Sequence, residues 1–116
     1  MPCLRILTNI PSSKIPTDFV NKIMPVLAKV VRKDVEKFSC VIVGDCQLSF
    51  AGDSSQPGAI STLESIGHVE PEDNRMIGQE LSTFVQQELG IHPKRFFISI
   101  YDIKGTNIVK GGDTLN

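Results

Sequence analysis

The sequence carries the same strand–helix–strand pattern twice, and this repetition constrains the fold more than any other feature. The first strands of the two units begin at residues 2 and 59 and the second strands at residues 38 and 95, so both offsets are 57 residues. Connections of this length favour parallel pairing with right-handed crossovers. We therefore expect an α/β fold in which two β-α-β units form one four-stranded mixed sheet with two helices on one face.

Four short segments have the composition of strands. Residues 2–9 are apolar-rich and end in a turn, and residues 59–67 alternate between apolar and polar side chains. Residues 38–44 are continuously apolar and β-branched, which predicts a strand covered on both faces inside the sheet. Residues 95–102 are β-branched and aromatic and predict a second central strand.

The first helix is predicted from apolar residues that recur at three- and four-residue steps between positions 15 and 31. Ser12 or Ser13 can cap its start. Pro25 conflicts with a straight helix, because an internal proline removes one backbone hydrogen bond and costs about 3 kcal/mol. We therefore expect one helix that is kinked near Ile23 and Met24.

The second helix has clearer boundaries. Pro71, Glu72 and Asp73 are typical of a first helical turn, and Gly90 is typical of the residue that ends a helix. Between them the apolar residues lie on one stripe: Ile77, Leu81, Phe84, Val85 and Leu89.

Length and charge limit the classes of function. The 116 residues suffice for one compact domain, residues 1–116, and 12 basic against 13 acidic residues favour neither nucleic acid nor an anionic membrane as partner. No segment approaches the roughly 20 apolar residues of a membrane span, and no signal peptide is recognisable. We expect a soluble chain made in the cytosol.

Cysteine and histidine spacing predicts neither a disulfide framework nor a metal site. Cys3, Cys40 and Cys46 are odd in number and include no C-x-x-C pair, so buried free thiols are expected. His68 and His92 lie 24 residues apart with no other ligand type at suitable spacing.

Two helices can cover only one face of the predicted sheet. Apolar side chains on the other face need a partner, and a closed ring of identical copies is the usual solution. We expect a homo-oligomer.

Pro2 is the residue with the most suggestive chemistry. It follows Met1, and removal of Met1 leaves a secondary amine whose reference pKa is about 8 and falls when the amine is buried among apolar groups. A neutral amine near pH 7 can act as a general base. Lys33, taken alone, is more often explained as a helix-end cation that interacts with the helix dipole. Phe97 is equally well explained as sheet packing.

A set of short motifs resembles the macrophage migration inhibitory factor and D-dopachrome tautomerase family. The resemblance runs nearly end to end and rests on these residues: Met1-Pro2, Thr8-Asn9, Phe19, Lys33, Asp45, Phe50, Pro57, Ser65-Ile66-Gly67, Asn74-Arg75 and Tyr101-Asp102. It implies a homotrimer with an active site at each subunit interface. It also implies an isomerase, a keto-enol tautomerase that needs no cofactor and acts on phenylpyruvate- or dopachrome-type substrates.

The same resemblance assigns roles to individual residues. Pro2 corresponds to the catalytic base, Lys33 to the residue that holds the carboxylate of a small aromatic keto acid, and the backbone N–H of Ile66 to a second donor. Phe97 and Ser99 stand where relatives place a Tyr and an Asn from the neighbouring subunit.

Two further positions are compared with the family. Leu115 falls near its carboxy-terminal pocket residue. Its C-x-x-C position is occupied by Gly58-Ala59-Ile60-Ser61, so thiol-disulfide activity of that type is not expected.

A second function belongs to a different class. Members of this family include secreted, cytokine-like proteins that leave the cell without a signal peptide and bind a cell-surface receptor. The alternative is therefore a receptor ligand, found both in the cytoplasm and outside the cell, in which the tautomerase pocket is not the physiological activity.

Overall fold

The computed structural model describes residues 2–115 and contains one four-stranded sheet whose helices pack on a single face. Its strands and helices, in chain order, are β1 (Cys3–Thr8), α1 (Phe19–Lys22), α2 (Met24–Val31), β2 (Ser39–Val43), β3 (Ala59–Ser65), α3 (Pro71–Leu89), β4 (Phe96–Asp102), β5 (Val109–Lys110) and β6 (Asp113–Thr114). The four strands of the sheet agree with the predicted segments to within two residues at each end. The short β5–β6 hairpin was not predicted.

The strand order in the sheet is β2-β1-β3-β4, which confirms the predicted mixed sheet. Within each unit the two strands are parallel, and the units meet through the antiparallel pair β1 and β3. The prediction that residues 38–44 and 95–102 form central strands was wrong for the single chain, because β2 and β4 are its edges. Val41 and Val43 remain 45% and 46% exposed.

The first helical region differs from the prediction. Residues Ser12–Lys14 form a separate 3₁₀ turn, and the α-helix starts only at Phe19. The helix is divided at Ile23 into α1 and α2 rather than kinked, although Leu27 N–H still donates to the Ile23 carbonyl at 3.0 Å. Pro25 lies in the first turn of α2, where its missing N–H needs no intrahelical partner.

The second helix, α3, confirms its predicted boundaries. Asp73 and Glu70 form a capping box at its start, and Gly90 ends it with a left-handed φ of 69°. Ile77, Leu81 and Val85 are fully buried against the sheet. No helix in residues 2–115 is long and apolar enough to cross a membrane.

The two faces of the sheet differ in what covers them. Leu4, Ile6 and Leu63 point toward the helices and are at most 1% exposed. The opposite face, called the open face below, carries apolar side chains that are 42–53% exposed: Leu7, Val41, Val43, Ile60, Phe97 and Tyr101. An apolar face of this kind is typical of a surface that packs against another chain.

One buried hydroxyl should lower the stability of this core. Ser61 lies in β3, is 1% exposed, and its Oγ has no hydrogen-bond partner among the residues that the structure describes. Ser61→Ala removes the unsatisfied group, so the free energy of unfolding should rise by about 1 kcal/mol. The matched variant Ser65→Ala loses the bond from Ser65 Oγ to the Gly67 carbonyl at 2.9 Å, so its free energy of unfolding should fall. Urea unfolding at one protein concentration measures both; a destabilised Ser61→Ala would contradict this account.

Candidate active site

One end of the sheet brings three of the predicted site residues together. Pro2 is buried immediately before β1, and its carbonyl accepts a hydrogen bond of 3.0 Å from Ser39 N–H at the start of β2. Because Cys3 pairs with Glu64, Pro2 lies beside the end of β3, where Ile66 follows. Met1, whose removal the Pro2 prediction requires, lies outside the described residues.

Lys33 reaches this end of the sheet from the end of α2. Arg32 takes the left-handed conformation, with φ 59°, and its N–H closes the last turn on the Ala28 carbonyl at 3.0 Å. The half-buried side chain of Lys33 then donates from Nζ to the Ile66 carbonyl at 2.6 Å. Lys33 is therefore held by a specific contact rather than only by the helix dipole.

The turn that carries Ile66 is fixed by the ends of β3 and β4. Gly67 adopts a φ of 73°, and its N–H donates to Asp102 Oδ1 at 2.9 Å. Ser65 Oγ donates to the Gly67 carbonyl at 2.9 Å, and Ile103 N–H donates to the Ser65 carbonyl at 2.8 Å. These bonds set the position of the Ile66 backbone before any ligand binds.

The surroundings of Lys33 lower the pKa of its side chain. Burial lowers the pKa of its ammonium below the usual 10.5, the nearby positive charge of Lys37 lowers it further, and the Asp102 carboxylate opposes both. Because the pKa of Lys33 stays lowered despite Asp102, an incoming anion can supply further compensation for its charge.

A cleft of about 550 Å³ opens at this position, and its lining residues are Lys33, Glu36, Lys37, Ile66, Lys110 and Leu115. Leu115 was predicted near a pocket from the family resemblance. Glu36, Lys37 and Lys110 were not predicted as site residues. Pro2 is not among the residues that line the cleft.

Phe97 and Ser99 are not brought to this cleft within one chain. Both lie on β4. Followed across β3 to β1, Phe97 is level with Leu7 and Ser99 is level with Arg5. At about 3.3 Å per residue, these positions are about 17 Å and about 10 Å from Pro2 along the strand. Both residues therefore need a second chain if they are to meet Pro2.

A larger cleft, of about 990 Å³, lies toward the other end of β1 and is lined in part by Asn9, Cys46 and Leu89. It contains none of the predicted site residues, so its size does not make it the better candidate. Within residues 2–115, no group of three or more His, Cys, Asp and Glu side chains is placed to hold a metal ion.

The sheet is built from two β-α-β units. A buried proline precedes its first strand, and a lysine is bonded to the turn that follows its third strand. This arrangement is the tautomerase-superfamily fold. The family model described as "Macrophage migration inhibitory factor (MIF)" matches residues 1–116, and the chain belongs to this family. The resemblance noted in the sequence is thereby confirmed.

Named relatives agree with this assignment. The chain is 32% identical to a macrophage migration inhibitory factor homolog from Trichinella spiralis, over 98% of this chain and 99% of the relative. It is 31% identical to the macrophage migration inhibitory factor of Meriones unguiculatus, over 98% of each.

Solved structures show the same fold. The Trichinella spiralis factor superimposes with a TM-score of 0.92 at 30% identity, over 97% of this chain and 98% of that one. The factor from Oncomelania hupensis gives a TM-score of 0.93 at 20% identity, over 100% of this chain and 83% of that one, and supports the fold alone.

Proposed function

We propose that this chain, as a single domain, is a cofactor-free keto-enol tautomerase for phenylpyruvate- or dopachrome-type substrates, with the amine of Pro2 as general base. The observation that carries the proposal is the 2.6 Å contact between Lys33 Nζ and the Ile66 carbonyl beside the start of β1. It supports a cationic anchor for a carboxylate next to Pro2. Membership in the family supports the reaction class.

The proposed reaction moves one proton away from carbon and one to oxygen. After removal of Met1, the Pro2 nitrogen has a lone pair, and burial of this residue disfavours its charged form. The nitrogen takes a proton from the carbon next to the substrate carbonyl. The electron pair of that C–H bond forms the carbon–carbon double bond while the carbonyl π pair moves onto oxygen. The oxygen then takes a proton from water as the protonated Pro2 nitrogen returns its proton to water, which gives the enol and restores the neutral amine.

Lys33 holds the substrate in this scheme. An ammonium group has three N–H donors, so Lys33 can keep its bond to the Ile66 carbonyl and still donate to a substrate carboxylate. The backbone N–H of Ile66 is the second proposed donor, and its place is fixed by the turn around Gly67.

The complete site requires a homotrimer in this proposal. Phe97 and Ser99 stand on the open face and would contribute to the site of a neighbouring subunit, with Phe97 as an aromatic wall. The exposed apolar side chains of the open face support packing between copies.

Charge on the open face should prevent this assembly. Ile60 is 42% exposed there, so Ile60→Glu leaves the single-chain core intact but places a carboxylate in the proposed interface. We expect the trimer to dissociate and tautomerase activity to be lost, as measured by sedimentation velocity and enol formation. The control Met76→Glu, on the exposed side of α3, should remain trimeric and active. A wild-type monomer, or an active trimer with Ile60→Glu, would argue against the proposed assembly.

A second function is proposed on the names of the mammalian relatives, which are macrophage migration inhibitory factors. In this alternative the chain is a cytokine-like ligand of a cell-surface receptor, exported without a signal peptide and present both in the cytoplasm and outside the cell. Recovery of the chain from the medium of intact cells, with receptor binding that survives Pro2→Gly, would support it. Detection only inside cells would count against it.

A further inference from the structure

We propose that Lys37 and Lys110 form a second anion subsite in the cleft beside Lys33, and that the preferred substrate is an aromatic keto acid with two anionic groups. The inference rests on the proposed function for the first anion, which Lys33 holds. It goes further by assigning the opposite end of the same ligand.

The cleft is unusually rich in positive charge for a chain whose net charge is −1. Of the six lining residues within positions 2–115, three are lysines and only Glu36 carries the opposite charge. The lysines come from three segments: Lys33 follows α2, Lys37 ends the 3₁₀ turn Val35–Lys37, and Lys110 lies in β5. Separate elements thus place like charges around one space.

Lys37 and Lys110 differ from the two lysines of the chain that form ion pairs. Lys22 and Lys29 form ion pairs with Glu88 and Glu80, at 2.9 Å and 3.3 Å. Among residues 2–115, by contrast, neither Lys37 nor Lys110 has a carboxylate within 4.0 Å. Their charge is therefore available to a ligand.

Repulsion between lysines in the cleft should favour the binding of an anion. The charge of Lys37 helps to lower the pKa of Lys33, which means that these two lysines interact unfavourably when both are protonated. Asp102 offsets part of this at Lys33, and among the described residues Glu36 is the only carboxylate that lines the cleft itself. One bound carboxylate can neutralise Lys33, and a second can interact with Lys37 and Lys110.

The remaining walls define the middle of the ligand. Ile66 and Leu115 are the apolar lining residues, and a cleft of about 550 Å³ has the size of a small-molecule site. An aromatic ring against these two side chains, with an anionic group at each end, matches the distribution of charge and apolar surface. A ring-carboxylated phenylpyruvate is the simplest such substrate.

Kinetics on two substrates separate this subsite from general electrostatic attraction. We would compare phenylpyruvate with para-carboxyphenylpyruvate for wild type, Lys37→Gln, Lys110→Gln and the double variant, with exposed Lys104→Gln as control. Partly exposed ion pairs are worth up to about fivefold each, so the preference for the dianion in kcat/KM should fall by roughly twentyfold in the double variant. The control should keep the wild-type preference. An equal loss for both substrates, or no wild-type preference for the dianion, overturns the proposal.

Binding of inert ligands tests the subsite without turnover. By calorimetry, terephthalate should bind wild-type protein more tightly than benzoate, and the double variant should lose most of that difference. If terephthalate binds more tightly than benzoate but the protein is inactive, the tautomerase proposal is wrong and the subsite is supported. Equal binding of the two ligands by wild type would refute the subsite, whether or not the protein is a tautomerase.

Discussion

Pro2→Gly should lower kcat/KM for phenylpyruvate by a factor of roughly 10² to 10⁴, the usual contribution of a positioned general base. Glycine keeps an amino-terminal nitrogen but loses the ring that fixes φ and fills the buried position before β1. A mobile, hydrated amine is protonated more readily and is no longer held against the substrate carbon. Steady-state kinetics of enol formation, with thermal unfolding to confirm the fold, measure the effect.

A matched control separates the nitrogen from the ring. An alanine inserted between Met1 and Pro2 leaves the ring in place but turns its nitrogen into an amide, which has no basic lone pair. We expect this protein to be as inactive as Pro2→Gly while it remains folded and trimeric. Wild-type rates in either variant would remove Pro2 from the mechanism.

Lys33→Gln should raise KM for phenylpyruvate by roughly 10- to 100-fold, because a hydrogen bond to a charged group contributes about 1.5–3 kcal/mol. Glutamine can still donate to the Ile66 carbonyl, so the turn should survive while the charge is lost. Lys29→Gln is the control, since Lys29 lies earlier on α2 and pairs with Glu80 at 3.3 Å on the surface. It should behave as wild type.

The same anchor predicts a pH dependence. The pKa of Lys33 lies below the usual 10.5, so the lysine loses its proton at a lower pH than an ordinary surface lysine. KM for a carboxylate substrate should therefore rise as the pH passes this lowered pKa, and the rise should be absent in Lys33→Gln. A wild-type KM that does not rise with pH, or the same rise in Lys33→Gln, would exclude Lys33 as the anchor.

Much of the fold follows from local patterns, since apolar periodicity predicted all four strands of the sheet and α3 nearly to the residue. The errors have a common physical origin. Residues 38–44 are apolar on both faces, yet β2 is an edge strand with Val41 and Val43 exposed. A sequence pattern records that a face is apolar but does not say which chain covers it, so an open face looks like an interior.

The division of the first helix has a different cause. Pro25 was expected to kink one continuous helix, and its neighbours did not indicate that a new helix, α2, would begin immediately before it. At the start of a helix the missing N–H costs nothing. Placing the break at Ile23 therefore resolves the conflict that the sequence alone left as a kink.

The candidate site was predictable only in part. The family resemblance predicted Pro2, Lys33 and Ile66 as site residues, and the three lie at the same end of the sheet. No periodic pattern could identify Lys37 or Lys110. Those two lie in a single 3₁₀ turn and a two-residue strand, which are too short to have a recognisable signature. Their shared cleft with Lys33 is a property of the tertiary structure.

The central claim, that the free amine of Pro2 is the working base, is tested most directly by the intact mass of the active protein. Protein should be purified on tautomerase activity and its mass measured before and after separation of any species that retains Met1. We predict that all activity belongs to the species that begins at Pro2. Full activity in the species that retains Met1, where the Pro2 nitrogen is an amide, would contradict the account.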